Sequence, residues 1–390
     1  MKRIITSALL TIVIILIVAE TNNAIPAFAR KYKLSCQTCH APVPRLKAFG
    51  DEFAGNGFVL PNQESPRYFE NTGDDLLSLI KDFPIAARID MFTTYNRNDD
   101  DRVDWQVPYS VKLLSGGSLA ENLSYYFYFY MSERGEIAGV EDAYIMFNNL
   151  FDSELDLYVG QFQVSDPLFK REVRLTLEDY ELYRQRVGES NINLTYDRGI
   201  MMTYGFETGT DLIFEIVNGN GIHAANELRN FDNDKYKNFV GRISQDIGDF
   251  IRVGAFCYYG KEDLNTDSTN FANELYYYGP DITLSYEDKA QLNLQYLERV
   301  DKNPYVIASP VDIKTKSFLA ELILMPEGDN TRLYGAALFN WLKMEDIELY
   351  KTATLQVGYL LRRNMRLVGE ITYDLKNKYG RMAVGVVSAF

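Results

Sequence analysis

From Pro84 to Phe390 the chain alternates apolar and polar residues with period two. The stretch Ala290-Gln291-Leu292-Asn293-Leu294-Gln295-Tyr296 is the clearest case, and Ala353-Thr354-Leu355-Gln356-Val357-Gly358-Tyr359 and 367–374 repeat it. That period puts neighbouring side chains on opposite faces of a strand. It predicts sixteen strands, near 84–96, 104–115, 121–132, 139–148, 154–164, 194–206, 211–219, 237–246, 249–260, 273–287, 288–299, 315–325, 331–343, 351–362, 364–375 and 379–390. Each is close to the ~9–11 residues with which a tilted strand crosses a bilayer.

The connections sort into two classes. With the first strand leaving the periplasm, alternate connections at 116–121, 148–153, 207–210, 246–249, 287–289, 326–331 and 362–364 are short. The other set includes long ones, at 165–193, 221–235, 262–273 and 300–314. Short periplasmic turns and longer outer loops are the asymmetry of outer-membrane barrels. A soluble sandwich or propeller has no reason to segregate loop lengths this way. The fold class is therefore an all-β transmembrane barrel of about sixteen antiparallel strands. In the last strand Met382, Val384, Val386 and Phe390 share a face, with Ser388 the exception, and the terminal aromatic resembles a barrel assembly signal. The loop 165–193, with Lys170, Arg171, Arg174, Tyr180, Tyr183, Arg184 and Arg186, admits two readings: it folds inward as a constriction, or it lies on the surface.

Upstream of residue 84 the pattern changes. Residues 1–29 read as a secretory signal, with Lys2 and Arg3, the apolar run 4–19 and the A-x-A site Ala27-Phe28-Ala29; cleavage after Ala19 is an alternative. Residues 30–83 form a small segment. There Leu46, Phe49 and Phe53 fall at i, i+3 and i+7, one face of a short helix. A second helix is predicted over 74–83, with Leu76, Leu77, Leu79 and Ile80. About 50 residues bury too little surface to stand alone, so the segment should dock on the barrel, 84–390.

Composition narrows the picture. The net charge of -14 argues against nucleic acid as a partner. Tyr 28 and Phe 23 against Trp 2 suit a β-rich wall. The mean hydropathy of -0.22 excludes a bundle of membrane helices but not a barrel, whose alternating strands average out as mildly polar. Three cysteines give no disulfide framework.

The chemistry concentrates in Cys36-Gln37-Thr38-Cys39-His40, a C-x-x-C-H motif. Thiols at this spacing can form thioethers with the two vinyl groups of one haem, and the following histidine can ligate its iron. A thioredoxin-like pair would need a βαβ setting, which this segment lacks. A structural zinc site would need four ligands, and Cys257 and His223 lie far along the chain. The expectation is one covalent haem c on Cys36 and Cys39, His40 as proximal iron ligand, and Leu46, Phe49 and Phe53 packing on the ring. The distal ligand is open. His223 falls in an outer loop, Met91 shares a face with Ile85, Ala87 and Ile89 that points to lipid, and Met146 and Met201 are inward candidates, although a methionine so placed is more often packing than ligand. Acidic outer-loop runs, Asp99-Asp100-Asp101 with Asp104, Asp232 with Asp234, and Glu262 with Asp263, could attract iron(II) through hard oxygen ligands or simply be solvated.

The stretch from Phe28-Ala29-Arg30-Lys31-Tyr32 through the C-x-x-C-H motif to Phe49-Gly50, Phe53 and Gly57-Phe58 resembles the fused monohaem cytochrome–porins, whose best-known members are outer-membrane iron(II) oxidases. The resemblance implies a haem plug within or beneath a sixteen-stranded barrel. It also implies one-electron transfer from an extracellular donor, iron(II), to a periplasmic c-type cytochrome, across the outer membrane of a Gram-negative bacterium. A second reading is a solute porin with a structural or sensory haem plug, and a third sends electrons outward.

Overall fold

The computed structural model describes residues 27–60, 73–74, 83–97, 102–137, 139–266, 269–305 and 310–390. Sixteen antiparallel strands close into one barrel: β1 (Ile85–Asn96), β2 (Arg102–Ala120), β3 (Leu123–Glu133), β4 (Gly139–Leu150), β5 (Leu155–Gln163), β6 (Tyr196–Gly205), β7 (Thr210–Val217), β8 (Asn238–Ile247), β9 (Ile251–Thr266), β10 (Thr269–Tyr286), β11 (Ala290–Asp301), β12 (Ile313–Leu324), β13 (Leu333–Met344), β14 (Ile347–Arg362), β15 (Met365–Asp374) and β16 (Tyr379–Ala389). Every strand pairs with its sequence neighbours, and β1 closes on β16 with Arg88 opposite Ala389. Among the described residues three short helices precede the wall: α1 (Ala27–Tyr32), α2 (Cys36–Cys39) and α3 (Ala48–Gly55).

The wall is apolar outside and polar inside. On β14, Leu355 and Val357 are 68% and 57% exposed, whereas Thr354 and Gln356, which alternate with them, are 1% and 2% exposed. A water-soluble sheet would bury the leucine and valine. This inversion suits a hydrocarbon surround, where closure leaves no strand edge with unpaired backbone groups. Some inward polar side chains pair with one another: Thr354 and Thr372 share a hydrogen bond of 2.9 Å, and Asn293 Nδ2 donates to Glu321 at 2.9 Å.

The segment between β5 and β6 folds inward, so the constriction reading holds and the surface reading does not. Leu175, Leu182, Tyr183, Ile192 and Leu194 on it are buried. Its backbone is held by inward groups on the far wall. The Leu177 N–H donates to Glu370 at 2.6 Å, Asn340 Nδ2 donates to the Asp179 carbonyl at 2.9 Å, and Arg299 donates to the Ile192 carbonyl at 2.8 Å. Tyr180 adds a side-chain bond to Glu321 at 2.8 Å. A buried loop is stable only when its backbone polar groups find such partners.

Two expectations need correction. Residues 262–273 are not a loop: β9 and β10 run on to Thr266 and from Thr269, paired residue for residue. Backbone pairing continues there because a polar hairpin needs no hydrocarbon around it. Leu46 is not on a helix: it forms a β-bridge with His40, and α3 begins only at Ala48. Residues 1–26 of the predicted signal, 75–82 of the second predicted helix, and Asp99-Asp100-Asp101 lie outside the described residues. Ala27 and Phe28, at the end of that signal, pack within the folded segment, Phe28 stacking on Phe58 at 4.8 Å.

Candidate functional site

The three helices gather at the barrel rim that carries the short turns. Helix α2 is one turn long and is capped by Ser35, whose hydroxyl accepts from the Gln37 N–H at 3.4 Å. The His40 N–H closes the turn on the Cys36 carbonyl at 2.9 Å. His40 itself is extended, and the chain then reverses through Pro42 and Pro44 so that the Lys47 N–H reaches the Cys39 carbonyl at 2.9 Å. This reversal brings α3 back across α2. A Cβ on Gly50 would stand 2.3 Å from the Cys39 carbonyl oxygen, so glycine is required at that crossing.

The segment docks on the wall through polar and aromatic contacts. Gln37 Nε2 donates to the Asp329 carbonyl at 2.7 Å, and Lys47 forms an ion pair with the Asp329 carboxylate. Asn148 Nδ2 donates to the Gly55 carbonyl at 2.9 Å, and Arg45 donates to Gln291. Phe53 packs edge-on against Phe28 at 5.5 Å and Tyr32 at 5.6 Å, and Phe58 stacks on Tyr126 of β3 at 4.9 Å.

Between segment and wall lies a cavity of about 430 Å³. Cys36, Cys39 and His40 all line it, on one side, with Leu46 and Phe53. Phe49 does not line it: its side chain is 37% exposed, on the outer side of α3, although its ring lies parallel to Phe53 at 6.4 Å. Tyr126, Tyr128, Tyr144 and Tyr158 supply much of the opposite side. The His40 ring has a defined tautomer. Its Nδ1 is 2.8 Å from the Pro44 carbonyl oxygen, which can only accept, so the proton is on Nδ1 and Nε2 keeps its lone pair. Burial pushes the imidazole pKa down and favours this neutral form. Burial also pushes both thiols up, Cys39 further through its neighbour Cys36. That is the reverse of the lowered thiol that a thioredoxin-like pair uses.

The remaining candidates separate. Met201 is buried and lines the cavity; Met146 is buried outside it, its sulfur accepting from Asn148 at 2.8 Å. Met91 sits between inward Asp90 and Phe92, on the outer face. His223 is exposed in the β7–β8 loop. Of the described acidic residues, Asp232 pairs with Lys237, Asp234 accepts from the Asp263 N–H at 3.0 Å, and Asp104, on β2, accepts from Gln106 at 3.0 Å. Glu262 faces inward and accepts from the Asn191 N–H at 3.0 Å and Asn273 at 3.1 Å. Among the described residues no group of three or more His, Cys, Asp and Glu is placed to hold a metal ion.

Sequence reading missed the contributions of Lys170, Glu172, Arg363, Arg366 and Met365 to the cavity lining. No local motif marks them, since their nearness to Cys36 depends on barrel closure and on the inward loop. Beyond the loop, at the other rim, a second cavity of about 1050 Å³ is lined by Asp104, Trp105, Tyr109, Glu178, Asp179 and Arg381 among others. Leu177, Glu178 and Asp179 border this outer cavity, whereas Lys170, Glu172 and Val173 border the inner one, so the loop is the partition.

No protein-family model and no curated relative matches the chain. Solved structures do. An anion-selective porin from Comamonas acidovorans superposes with a TM-score of 0.54 at 12% identity, over 79% of this chain and 99% of that one. The outer membrane protein OmpT of Vibrio cholerae gives 0.55 at 10% identity, over 79% and 99%. The outer membrane channel DcaP of Acinetobacter baumannii gives 0.55 at 10%, over 79% and 97%. The share of this chain that is covered is about the share its barrel occupies. At such identities the likeness is one of fold: the chain is a closed sixteen-stranded barrel of the porin type, preceded by a short helical segment.

Proposed function

We propose that Cys36 and Cys39 carry one covalently attached c-type haem with His40 as its proximal iron ligand, and that the protein is an electron carrier of the outer membrane. In this reading the barrel spans the outer membrane of a Gram-negative bacterium with its short turns and haem segment on the periplasmic side. An extracellular donor, iron(II), supplies single electrons that leave to a soluble periplasmic c-type cytochrome.

The observation that carries the reading is the convergence of both thiols and the His40 imidazole on one largely apolar cavity. The residues present fit such a group. The thiols stand one helical turn apart, the Nε2 lone pair is unengaged by the Nδ1–Pro44 bond, and aromatic side chains surround the space. Bound there, a haem supplies one-electron redox chemistry. The chain's own part is to orient and to insulate. Pro44 fixes the imidazole rotation and tautomer, as partners of metal-bound histidines do. Phe28, Phe53 and Phe58 keep water from one side, and the inward loop separates the cavity from the outer one.

The test is an anaerobic spectrum of the purified, haem-matured protein in detergent, before and after iron(II). Reduction of a covalent haem by iron(II), followed by reoxidation by a periplasmic cytochrome, supports the reading. Covalent haem that dithionite reduces and iron(II) does not would remove the iron donor and favour outward transfer. Replacing Cys36 and Cys39 with serine should abolish covalent haem and leave a folded barrel.

A solute porin is the second reading. The porin-type barrel and the outer cavity of about 1050 Å³ favour it. Conductance through planar bilayers separates the two: steady open-channel current supports the porin, its absence the insulated carrier.

A further inference from the structure

The cavity that holds Cys36, Cys39 and His40 is electrically two-sided. One part is acidic, with Asp51, Asp142, Asp166 and Glu172. Lys170 lies there too, but it is engaged at 3.1 Å by Asp51 and at 3.9 Å by Asp166, and Glu172 faces Lys112 at 3.5 Å. Arg88 lines the cavity as well and is held by Asp90 at 2.8 Å. These cations are already committed to carboxylates of the chain.

Two cavity-lining arginines are not. Arg366, on β15, is 4% exposed. One guanidinium nitrogen donates to the Tyr334 hydroxyl at 2.7 Å and to the Leu175 carbonyl at 3.3 Å, both neutral acceptors. Its Nε is buried and has no partner. Arg363 stands in the two-residue turn between β14 and β15, half-buried, lining the same cavity, and its charge acts on the Cys36 thiol. No ion pair of Arg363 occurs among the described residues. Burying a guanidinium without a carboxylate is costly, and an orphaned buried N–H adds to that cost. Asp90 is the carboxylate whose charge Arg366 reaches, and an anion in the cavity would lower the remaining cost at both arginines.

A haem brings two such anions, the propionates on the ring edge away from the vinyls. The acidic side of the cavity would repel them. We infer that Arg363 and Arg366 form the seat for the carboxylate edge of the cofactor. This rests on the haem reading above and adds to it the residues that fix which way round the ring sits.

The two arginines then also raise the potential of the iron, because nearby positive charge favours the reduced state. The test uses the full-length, haem-matured protein. Arg363→Gln and Arg366→Gln are compared with Arg362→Gln, which removes the same charge from an exposed position at the same turn and does not line the cavity. Arg363 lies outside the strands, so its replacement leaves the ladder intact; Arg363→Lys tests rescue. The readouts are the midpoint potential and the carboxylate bands in the reduced-minus-oxidised infrared difference spectrum. The expected result is a lower potential and shifted carboxylate bands for R363Q and R366Q, with R362Q like the parent and R363K close to it. Potential and bands in R363Q and R366Q that match R362Q would overturn the seat. A parent chain without covalent haem would instead sink the haem reading itself, and the pyridine haemochrome of the denatured protein tells the two failures apart.

Discussion

Lys170 Nζ lies 3.1 Å from Asp51 Oδ1, so the loop that crosses the lumen and the helix that closes the short-turn rim meet in an ion pair. The two side chains are 32% and 52% exposed. A pair this wet contributes about 0.2–1 kcal/mol. Lys170→Ala should therefore leave the thermal unfolding of the barrel nearly unchanged while loosening α3. Amide hydrogen exchange would show the difference: faster exchange over 48–55 with unaltered strands is expected, and unaltered exchange in α3 would show that the pair does not hold the segment.

Gly50→Ala should act on the site far more strongly than its size suggests. The added methyl would lie 2.3 Å from the Cys39 carbonyl oxygen, and that oxygen is backbone, already engaged by the Lys47 N–H. Overpacking of this kind costs about 1–3 kcal/mol. The strands do not share the strain. The expected outcome is a lower yield of covalent haem per folded barrel, measured as haemochrome against the heat-modifiable band on a gel. A wild-type yield would mean that α3 does not need its close seat on α2.

Acid should loosen the inward loop. Burial by itself would push the Glu172 carboxyl up, but the Lys112, Arg171 and Arg174 charges and the Tyr130 hydroxyl overcome it and hold the carboxyl down to about 2. The folded pKa is below the ordinary 4.5, so this group stabilises the loop fully above pH 4.5 and loses that contribution as pH falls toward 2. Loop proteolysis, or the fluorescence of a probe on residue 186, should be flat from pH 7 to about 5 and change below. Glu172→Gln should weaken that acid transition, the remainder belonging to Asp179, whose burial is likewise overcome by Arg174, Arg171 and Arg184, which hold it down; an unchanged transition would exclude Glu172.

The outward face makes a sharper prediction than any loop. Leu355→Arg places a charge on a strand position that is 68% exposed yet surrounded by apolar outward neighbours. On a bilayer-facing wall this costs up to ~2–4 kcal/mol, depending on depth. Urea unfolding from lipid vesicles reads the loss directly. A water-facing position would tolerate arginine within about 0.5 kcal/mol, so an unchanged midpoint would contradict a membrane-spanning wall.

Much of this molecule is written locally. The alternation in 290–296 and 353–359 is enough to place β11 and β14 within a few residues, because strand faces depend only on neighbours two apart. The sorting of short and long connections marks the two rims before any pairing is known. The C-x-x-C-H motif is equally local, since its three groups lie within five residues. The errors also have local causes. Leu46 matched a helical spacing that the turn through Pro44 cuts off, and 262–273 matched loop composition while its backbone continued the ladder.

By itself the sequence determined the number of strands, their faces, and the motif that concentrates the chemistry, all of which follow from spacing along one chain. Tertiary structure alone decided what surrounds that motif. Closure of the barrel brings Arg363 and Arg366, more than 320 positions from Cys36, into the same cavity, and the inward course of the β5–β6 loop brings Lys170 and Glu172. It also removed Phe49 from the lining and, of the two methionines the sequence offered, placed Met201 in it and Met146 outside it. Those relations depend on where the chain returns to in space, and periodicity carries no information about that.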